Sequence, residues 1–100
     1  MKTNEAIAEF RDCFIETEYG LDHAHAEVIR KAGEKLIKAL AEKDKEIERI
    51  LNEVIWRSNS IKEDLQTPHS YGLDEWSTPV KNLKSLEAYI QQIKSNLTTP

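Results

Sequence analysis

The sequence predicts an all-α protein: a three-helix antiparallel bundle with a short first helix, a long central helix and a C-terminal helix. Apolar residues recur at intervals of three and four along most of the chain, which is the period of an amphipathic helix. The stretch from Asp22 to Gln66 contains no proline and only one glycine, Gly33. With 100 residues, 39% apolar and 32% charged, the chain has the size and composition of one water-soluble domain over residues 1–100.

The first helix is predicted over about residues 4–19. Ile7, Phe10 and Phe14 follow the spacing i, i+3, i+7 and share one face. Acidic residues fall on the opposite face, namely Glu5, Glu9, Asp12 and Glu16. Gly20 can adopt the left-handed conformation that ends a helix, and Asp22 can cap the next one.

The second helix is predicted over about residues 23–64. Its apolar positions alternate in spacing between four and three, as in a helix seam: Val28, Ala32, Leu36, Leu40, Ile47, Ile50, Val54 and Ile61. Lys43 interrupts this seam and either sets its register or marks a local break, and Ser58–Ser60 could form a kink or an end. A helix of about 40 residues would span about 60 Å, which is more than the rest of the chain can cover. We therefore expect a homodimer in which the central helix of a second copy covers the seam from Ala32 to Leu40.

A loop is predicted over residues 67–78, followed by a third helix over about residues 79–97 that pairs with the C-terminal half of the second. Thr78-Pro79 is typical of a helix start. The tetrapeptide Tyr-Gly-Leu-Asp occurs at 19–22 and again at 71–74. We interpret both copies as turns in which Gly takes a positive φ, Leu packs over the corner and Asp caps.

Composition and charge make several classes of function improbable. The net charge is −4 and no basic block is present, so nucleic-acid binding is not expected. No stretch approaches the roughly 20 apolar residues that cross a membrane. A single cysteine, Cys13, cannot form an internal disulfide, which fits a reducing cytoplasm.

Sequence signatures of catalysis are also missing. We find no Gly-rich phosphate loop, nucleophile elbow or CxxC pair, and therefore expect neither an enzyme nor a cofactor. His23 and His25 are two residues apart on a helix, where their rings point in different directions, so no metal site is expected. The many glutamates lie among lysines at i±4, as on a solvated helix face.

The candidate residues for binding a protein partner lie in three places. Trp56 falls on a polar face of the second helix, near Arg49, and fits an interface anchor unless another segment covers it. Tyr71 and Trp76 belong to the loop, which either recognises a partner or tucks against its own helices. The acidic face of the first helix, represented by Glu9 and Asp12, could meet a basic surface or remain solvated.

Two other hypotheses stay open. In the first, an oligomer sequesters a small nucleotide-like ligand with Tyr19, His25, Arg30 and Lys31, near the start of the second helix where anions are favoured. In the second, the chain is a purely structural coiled-coil subunit.

The segment from Ala39 to Ile50, with the sequence ALAEKDKEIERI, resembles small helical accessory proteins of bacteriophages and prophages. The resemblance covers about a dozen residues and carries over no functional residue. It implies a role in host interaction, because such proteins are often stoichiometric inhibitors. Our main hypothesis is therefore a non-enzymatic binding protein that inhibits a bacterial host or defence macromolecule through protein–protein contacts.

Overall fold

A computed structural model describes residues 3–98 of the chain as four α-helices. They are α1 (Thr3–Glu18), α2 (His23–Glu42), α3 (Ile47–Gln66) and α4 (Thr78–Thr98). Each helix packs against two others, so that α1 is diagonal to α3 and α2 is diagonal to α4. Short connections make consecutive neighbours antiparallel, and the result is an up-down four-helix bundle. No strand occurs within residues 3–98.

The prediction of one central helix over residues 23–64 was wrong, because the chain reverses direction between α2 and α3. Lys43 adopts a left-handed conformation (φ 53°), its N–H donates to the carbonyl of Leu40 (3.3 Å) and the Asp44 N–H donates to that of Ala39 (2.9 Å). This pattern of two bonds is a Schellman motif, which normally uses glycine. The Asp44 carboxylate then accepts the N–H of Glu46 (2.8 Å). The fold therefore has four helices instead of three.

The reversal also removes the reason for the predicted dimer. In that prediction, the seam from Ala32 to Leu40 was exposed and required a second copy of the chain. In the structure Ala32, Leu36 and Ala39 are buried within the single chain, and Leu40 is half-buried against the same core. Folding α3 back onto α2 covers this seam from inside the molecule.

The helix α3 continues through Ser58–Ser60 without ending or breaking. Ser58 is fully buried, and its hydroxyl donates to the carbonyl of Leu83 in α4 (3.3 Å). A buried hydroxyl that makes a hydrogen bond destabilises the fold only slightly, so a polar residue is tolerated in the core. The remaining core residues come from all four helices, among them Phe10, Leu36, Leu51 and Leu86.

Both copies of Tyr-Gly-Leu-Asp are turns, as predicted, and they lie at the same end of the bundle. Gly20 and Gly72 have positive φ values of 89° and 65°. The two leucines of the repeat are half-buried against the core. Asp22 caps α2 by accepting the His25 N–H (2.8 Å), whereas Asp74 accepts the Trp76 N–H (2.9 Å) ahead of α4.

The third predicted helix is confirmed as α4, with bounds that differ by about one residue from 79–97. Its first turn is fixed by the Ser77 carbonyl, which accepts the Lys81 N–H (2.9 Å). Of the helices described in residues 3–98, none is both long enough and apolar enough to span a membrane.

Candidate functional site

An open groove of about 490 Å³ runs between the outer faces of α2 and α3, next to the loop end of the bundle. We call the whole furrow along these two helices the α2–α3 groove. Its first section is lined by His25, Val28, Trp56, Arg57, Ser60, Ile61, Glu63, Asp64 and Thr67. Trp56 is 65% exposed at its edge, and the Arg57 guanidinium lies 5.8 Å from the centre of the indole ring.

The exposure of Trp56 follows from helix geometry. Val54 and Ile61 face the core, and at about 100° per residue a side chain at position 56 points away from both. Neither the loop after α3 nor Trp76 covers the ring, since both tryptophans remain largely exposed. An exposed indole in cation–π contact with a guanidinium is a feature of interface anchors.

The loop-end wall of the groove is a polar cluster around His25. Its Nε2 lies 2.9 Å from Oδ2 of Asp64, and its Nδ1 lies 3.1 Å from Oδ1 of Asp22 without the orientation of a hydrogen bond. The Tyr71 ring packs edge-on against the imidazole, and its hydroxyl donates to Asp22. This Tyr71 bond, followed by the His25 backbone N–H, holds the pKa of Asp22 below its ordinary value. The cluster joins α2, α3 and the second loop.

Metal binding by this cluster is not indicated. Within residues 3–98, no group of three or more His, Cys, Asp and Glu side chains has an arrangement that could hold a metal ion.

Toward the α2–α3 turn, the α2–α3 groove becomes more basic. A section of about 320 Å³ is lined by Val28, Lys31, Ala32, Lys35, Glu53 and Arg57. Lys35 donates to one oxygen of Glu53 (2.7 Å) and Arg57 to the other (3.4 Å). The Lys35 hydrogen bond is the main reason why the pKa of Glu53 is lowered. One carboxylate therefore fixes two cations at the edge of the groove.

The groove reaches the α2–α3 turn through a third section of about 230 Å³, which includes Lys38, Glu42, Glu46 and Arg49. Arg49 pairs there with Glu46. Arg49 and Trp56 are two turns apart on α3 and share one face of that helix. The structure thus brings these two predicted contact residues to one furrow, with Tyr71 at its far end.

The other predicted partner-binding residues lie elsewhere. Trp76 is 71% exposed at the start of α4, where the Lys81 ammonium lies 5.8 Å from its ring. Glu9 and Asp12 are on α1, which is diagonal to the Trp56-bearing helix. Glu9 also has a partner of its own, because the Tyr89 hydroxyl donates to it (3.0 Å). Burial and this bond raise the pKa of Tyr89.

The four residues of the alternative ligand site do not line one pocket. Tyr19 is 81% exposed at the end of α1, whereas Lys31 lines the α2–α3 groove and Arg30 lines a different groove between α1 and α2. His25 stands between two carboxylates. The Asp22 side chain also occupies the N-terminus of α2, the position expected to attract an anion.

Sequence reasoning missed Arg57 and Asp64. Arg57 follows Trp56 directly and could have been noticed as its cation–π partner. Asp64 approaches His25 only because the chain folds back around residues 44–45, and the same reversal places Lys35 opposite Glu53. If a helix break had been predicted at Lys43, the antiparallel packing of α2 and α3 would have predicted both pairs.

Comparison with known proteins gives no match, either to a family model, to a curated protein or to a solved structure. The interpretation of the α2–α3 groove therefore rests on its geometry. That geometry combines an exposed indole, an ion-paired arginine in cation–π contact with it, and a furrow with charged edges along two helices.

Proposed function

We propose that this chain is a non-enzymatic binding protein that uses the α2–α3 groove to contact another macromolecule through protein–protein contacts. In this proposal it acts as a stoichiometric inhibitor of a bacterial host or defence macromolecule. The observation that carries the proposal is Trp56, a large apolar side chain left 65% exposed beside a groove and next to Arg57.

The surroundings of Trp56 suit an anchor residue. Tryptophan and arginine are the residues most enriched among interface hot spots, where apolar rings enter a water-excluding contact. Arg57 is held on its other side by Glu53, which Lys35 also contacts. Exposed ion pairs of this kind add little stability to the fold. They do hold the side chains in place before binding, so that less conformational entropy is lost when a partner binds.

The shape and charge of the groove favour a helical segment as the occupant. The two 20-residue helices form a furrow about 30 Å long, which is the length of a helix of similar size. Lys31, Lys35 and Arg57 outnumber Glu53 in its middle, whereas Glu63 and Asp64 lie at the loop end. We expect a partner segment with acidic side chains at its centre.

The type of target is supported by the resemblance of the Ala39–Ile50 segment to phage accessory proteins. Such a target implies the cytoplasm of a bacterial host, and the free Cys13 is compatible with this compartment. Inhibition by occupancy needs no catalytic group and consumes one chain for each target.

Replacing Trp56 tests the proposal. The tagged wild-type chain is used to capture the partner from host lysate, and affinity for the purified partner is then measured by calorimetry. Trp56→Ala should weaken binding by about 2 kcal/mol or more, or about 30-fold, because the anchor is lost. Helicity and oligomeric state should not change, since the indole is outside the core. Tyr19→Ala, another exposed aromatic, is the matched control and should bind normally.

Two outcomes would contradict the proposal. Unchanged affinity of Trp56→Ala, combined with loss of binding by Trp76→Ala, would move the site to the loop before α4. In a titration of the target's activity, inhibition should saturate at about one equivalent of chain. Loss of activity at a small fraction of an equivalent would indicate catalysis instead.

Sequestration of a nucleotide-like ligand has less support, because its four candidate residues are dispersed. A thermal-shift screen across nucleotides separates the two functions, since only sequestration predicts a rise of several degrees with one metabolite. A purely structural coiled-coil role would predict self-association without a foreign partner. Homodimer formation also remains a proposal, but with the Ala32–Leu40 seam buried it requires a different surface.

A further inference from the structure

A second groove, of about 430 Å³, lies between the outer faces of α1 and α2, and the one lining residue that it shares with the α2–α3 groove is Lys38, in the third section of that groove. We call it the α1–α2 groove. Its apolar lining consists of Phe14, Ile15, Gly33, Ile37 and Ala41. Ile15 is 58% exposed, whereas the other large hydrophobic side chains exposed in the described part of the chain are aromatic.

The missing side chain at Gly33 allows the two helices to approach closely. A Cβ atom placed there would lie 2.7 Å from Cγ of Phe14, so the Phe14 ring occupies the space that any other residue would fill. The surface beside this contact is therefore concave, and Ile15 projects at its edge.

The rim of the α1–α2 groove carries charges of both signs, namely Arg11, Glu18, Arg30, Glu34 and Lys38. Arg30 pairs with Glu27 (2.8 Å). Among residues 3–98, the other four rim residues take part in no ion pair, although the α2–α3 side has several. A polar, charged border around an apolar centre is the arrangement of an interface rim.

We propose that a second copy of this chain covers the α1–α2 groove, in a symmetric dimer that is independent of the Trp56 site. Arg11 and Glu18 lie about one turn on either side of Ile15 and have opposite charges. A two-fold axis near Ile15 would therefore place each Arg11 opposite the partner's Glu18. Each Ile15 would pack against the apolar lining of the other copy, as isologous symmetry requires.

The area available limits this dimer to the class of small interfaces. The 16-residue α1 is about 24 Å long, and two adjacent helices are about 20 Å wide, which gives a face of about 500 Å². Two such faces bury about 1,000 Å² in total, which is below the size of stable interfaces and in the range of weak, transient ones. We therefore expect a dissociation constant in the micromolar range. Both Trp56 side chains would stay exposed, so the dimer would offer two partner sites.

Sedimentation velocity of the full chain, from about 1 to about 500 µM, tests the dimer. The wild type should pass from monomer to dimer across this range, and Ile15→Glu should raise the dissociation constant at least tenfold by placing carboxylates in the contact. Ile15 is exposed in the monomer, so circular dichroism should show an intact fold. Trp56→Ala is the matched control and should dimerise like the wild type.

Charge exchange tests the geometry. Arg11→Glu and Glu18→Arg should each weaken dimerisation about fivefold, because each opposes like charges across the two-fold axis. The double variant R11E/E18R restores opposite charges and should return to within about threefold of the wild type. A wild type that stays monomeric at about 500 µM, or a double variant no better than the singles, would overturn the proposed interface. Either result leaves the Trp56 test unaffected, because that test measures a different face.

Discussion

At the scale of single residues, Lys43 decides the architecture. It is the one non-glycine residue with positive φ among residues 3–98. A left-handed conformation costs an L-residue about 1 kcal/mol relative to glycine. The chain tolerates this cost because the reversal lets α2 and α3 bury their apolar faces against each other.

Replacing Lys43 with glycine distinguishes a turn at this residue from a continuous helix, because the change in the free energy of unfolding has opposite signs in the two cases. Lys43→Gly should raise the free energy of unfolding by about 0.5–1 kcal/mol, since glycine takes the left-handed conformation without strain. Lys31→Gly, at an exposed position inside α2, should lower it by about 1 kcal/mol. Urea denaturation measures both. A loss of about 1 kcal/mol at both sites would instead indicate a continuous helix through residue 43.

At the scale of elements, the close contact of α1 with α2 depends on Gly33. Glycine inside a helix costs about 1 kcal/mol relative to alanine, so helix propensity alone favours Gly33→Ala. The added methyl group would lie 2.7 Å from the buried Phe14 ring, however, and would force the two helices apart. Tertiary packing is the larger of these opposing effects.

We therefore expect Gly33→Ala to lower the free energy of unfolding by about 1–2 kcal/mol, as overpacking in a core does. Thermal and urea denaturation provide the measurement. Glu34→Ala, at the exposed neighbouring position, is the control and should change stability by less than about 0.5 kcal/mol. A more stable Gly33→Ala protein would show that Phe14 does not fill this space.

At the scale of the whole molecule, the repeated tetrapeptide connects the two loops. The tyrosine of the second copy, Tyr71, donates its hydroxyl to the aspartate of the first, Asp22. Tyr19, at the same place in the first copy, is exposed and has no such partner among the described residues. Identical sequences thus have different roles, because only the tertiary fold decides which tyrosine faces an acceptor.

This bond predicts a pH dependence of stability. Because the pKa of Asp22 is lowered in the folded state, its contribution is present above its ordinary value of 3.8 and is lost as the pH falls through the folded value. Tyr71→Phe removes the largest cause of the shift. Its loss of stability relative to wild type should therefore be greater at pH 7 than at an acidic pH below the lowered pKa of Asp22, where the carboxylate is protonated.

Urea denaturation at the two pH values measures this difference. Tyr19→Phe, the equivalent change in the other copy of the repeat, is the control and should follow the wild type at both. A Tyr71→Phe deficit that is equal at the two pH values would show that the hydroxyl does not act through the Asp22 carboxylate.

Local sequence information determined most of the helical segments and the apolar face of each helix. The apolar period placed Phe10 and Phe14 inside, and the wheel position of Trp56 put it on a polar face, although only the structure showed that no other segment covers the ring. Both turns of the repeat were also predictable, since Gly20 and Gly72 have few other uses between helices. These properties depend on interactions within a few residues of each other.

Only the tertiary structure decided where the central segment folds back. This reversal forms the α2–α3 groove and buries the seam from Ala32 to Leu40. No glycine or proline marks the break, because the Lys43 conformation is stabilised by long-range burial of α2 against α3 and not by local preference. The pairing of His25 with Asp64 has the same origin. Helix formation depends on interactions between residues that are close in sequence, so it can be read along the chain. Burial depends on contacts between residues that are distant in sequence, so it is decided only when the whole chain folds.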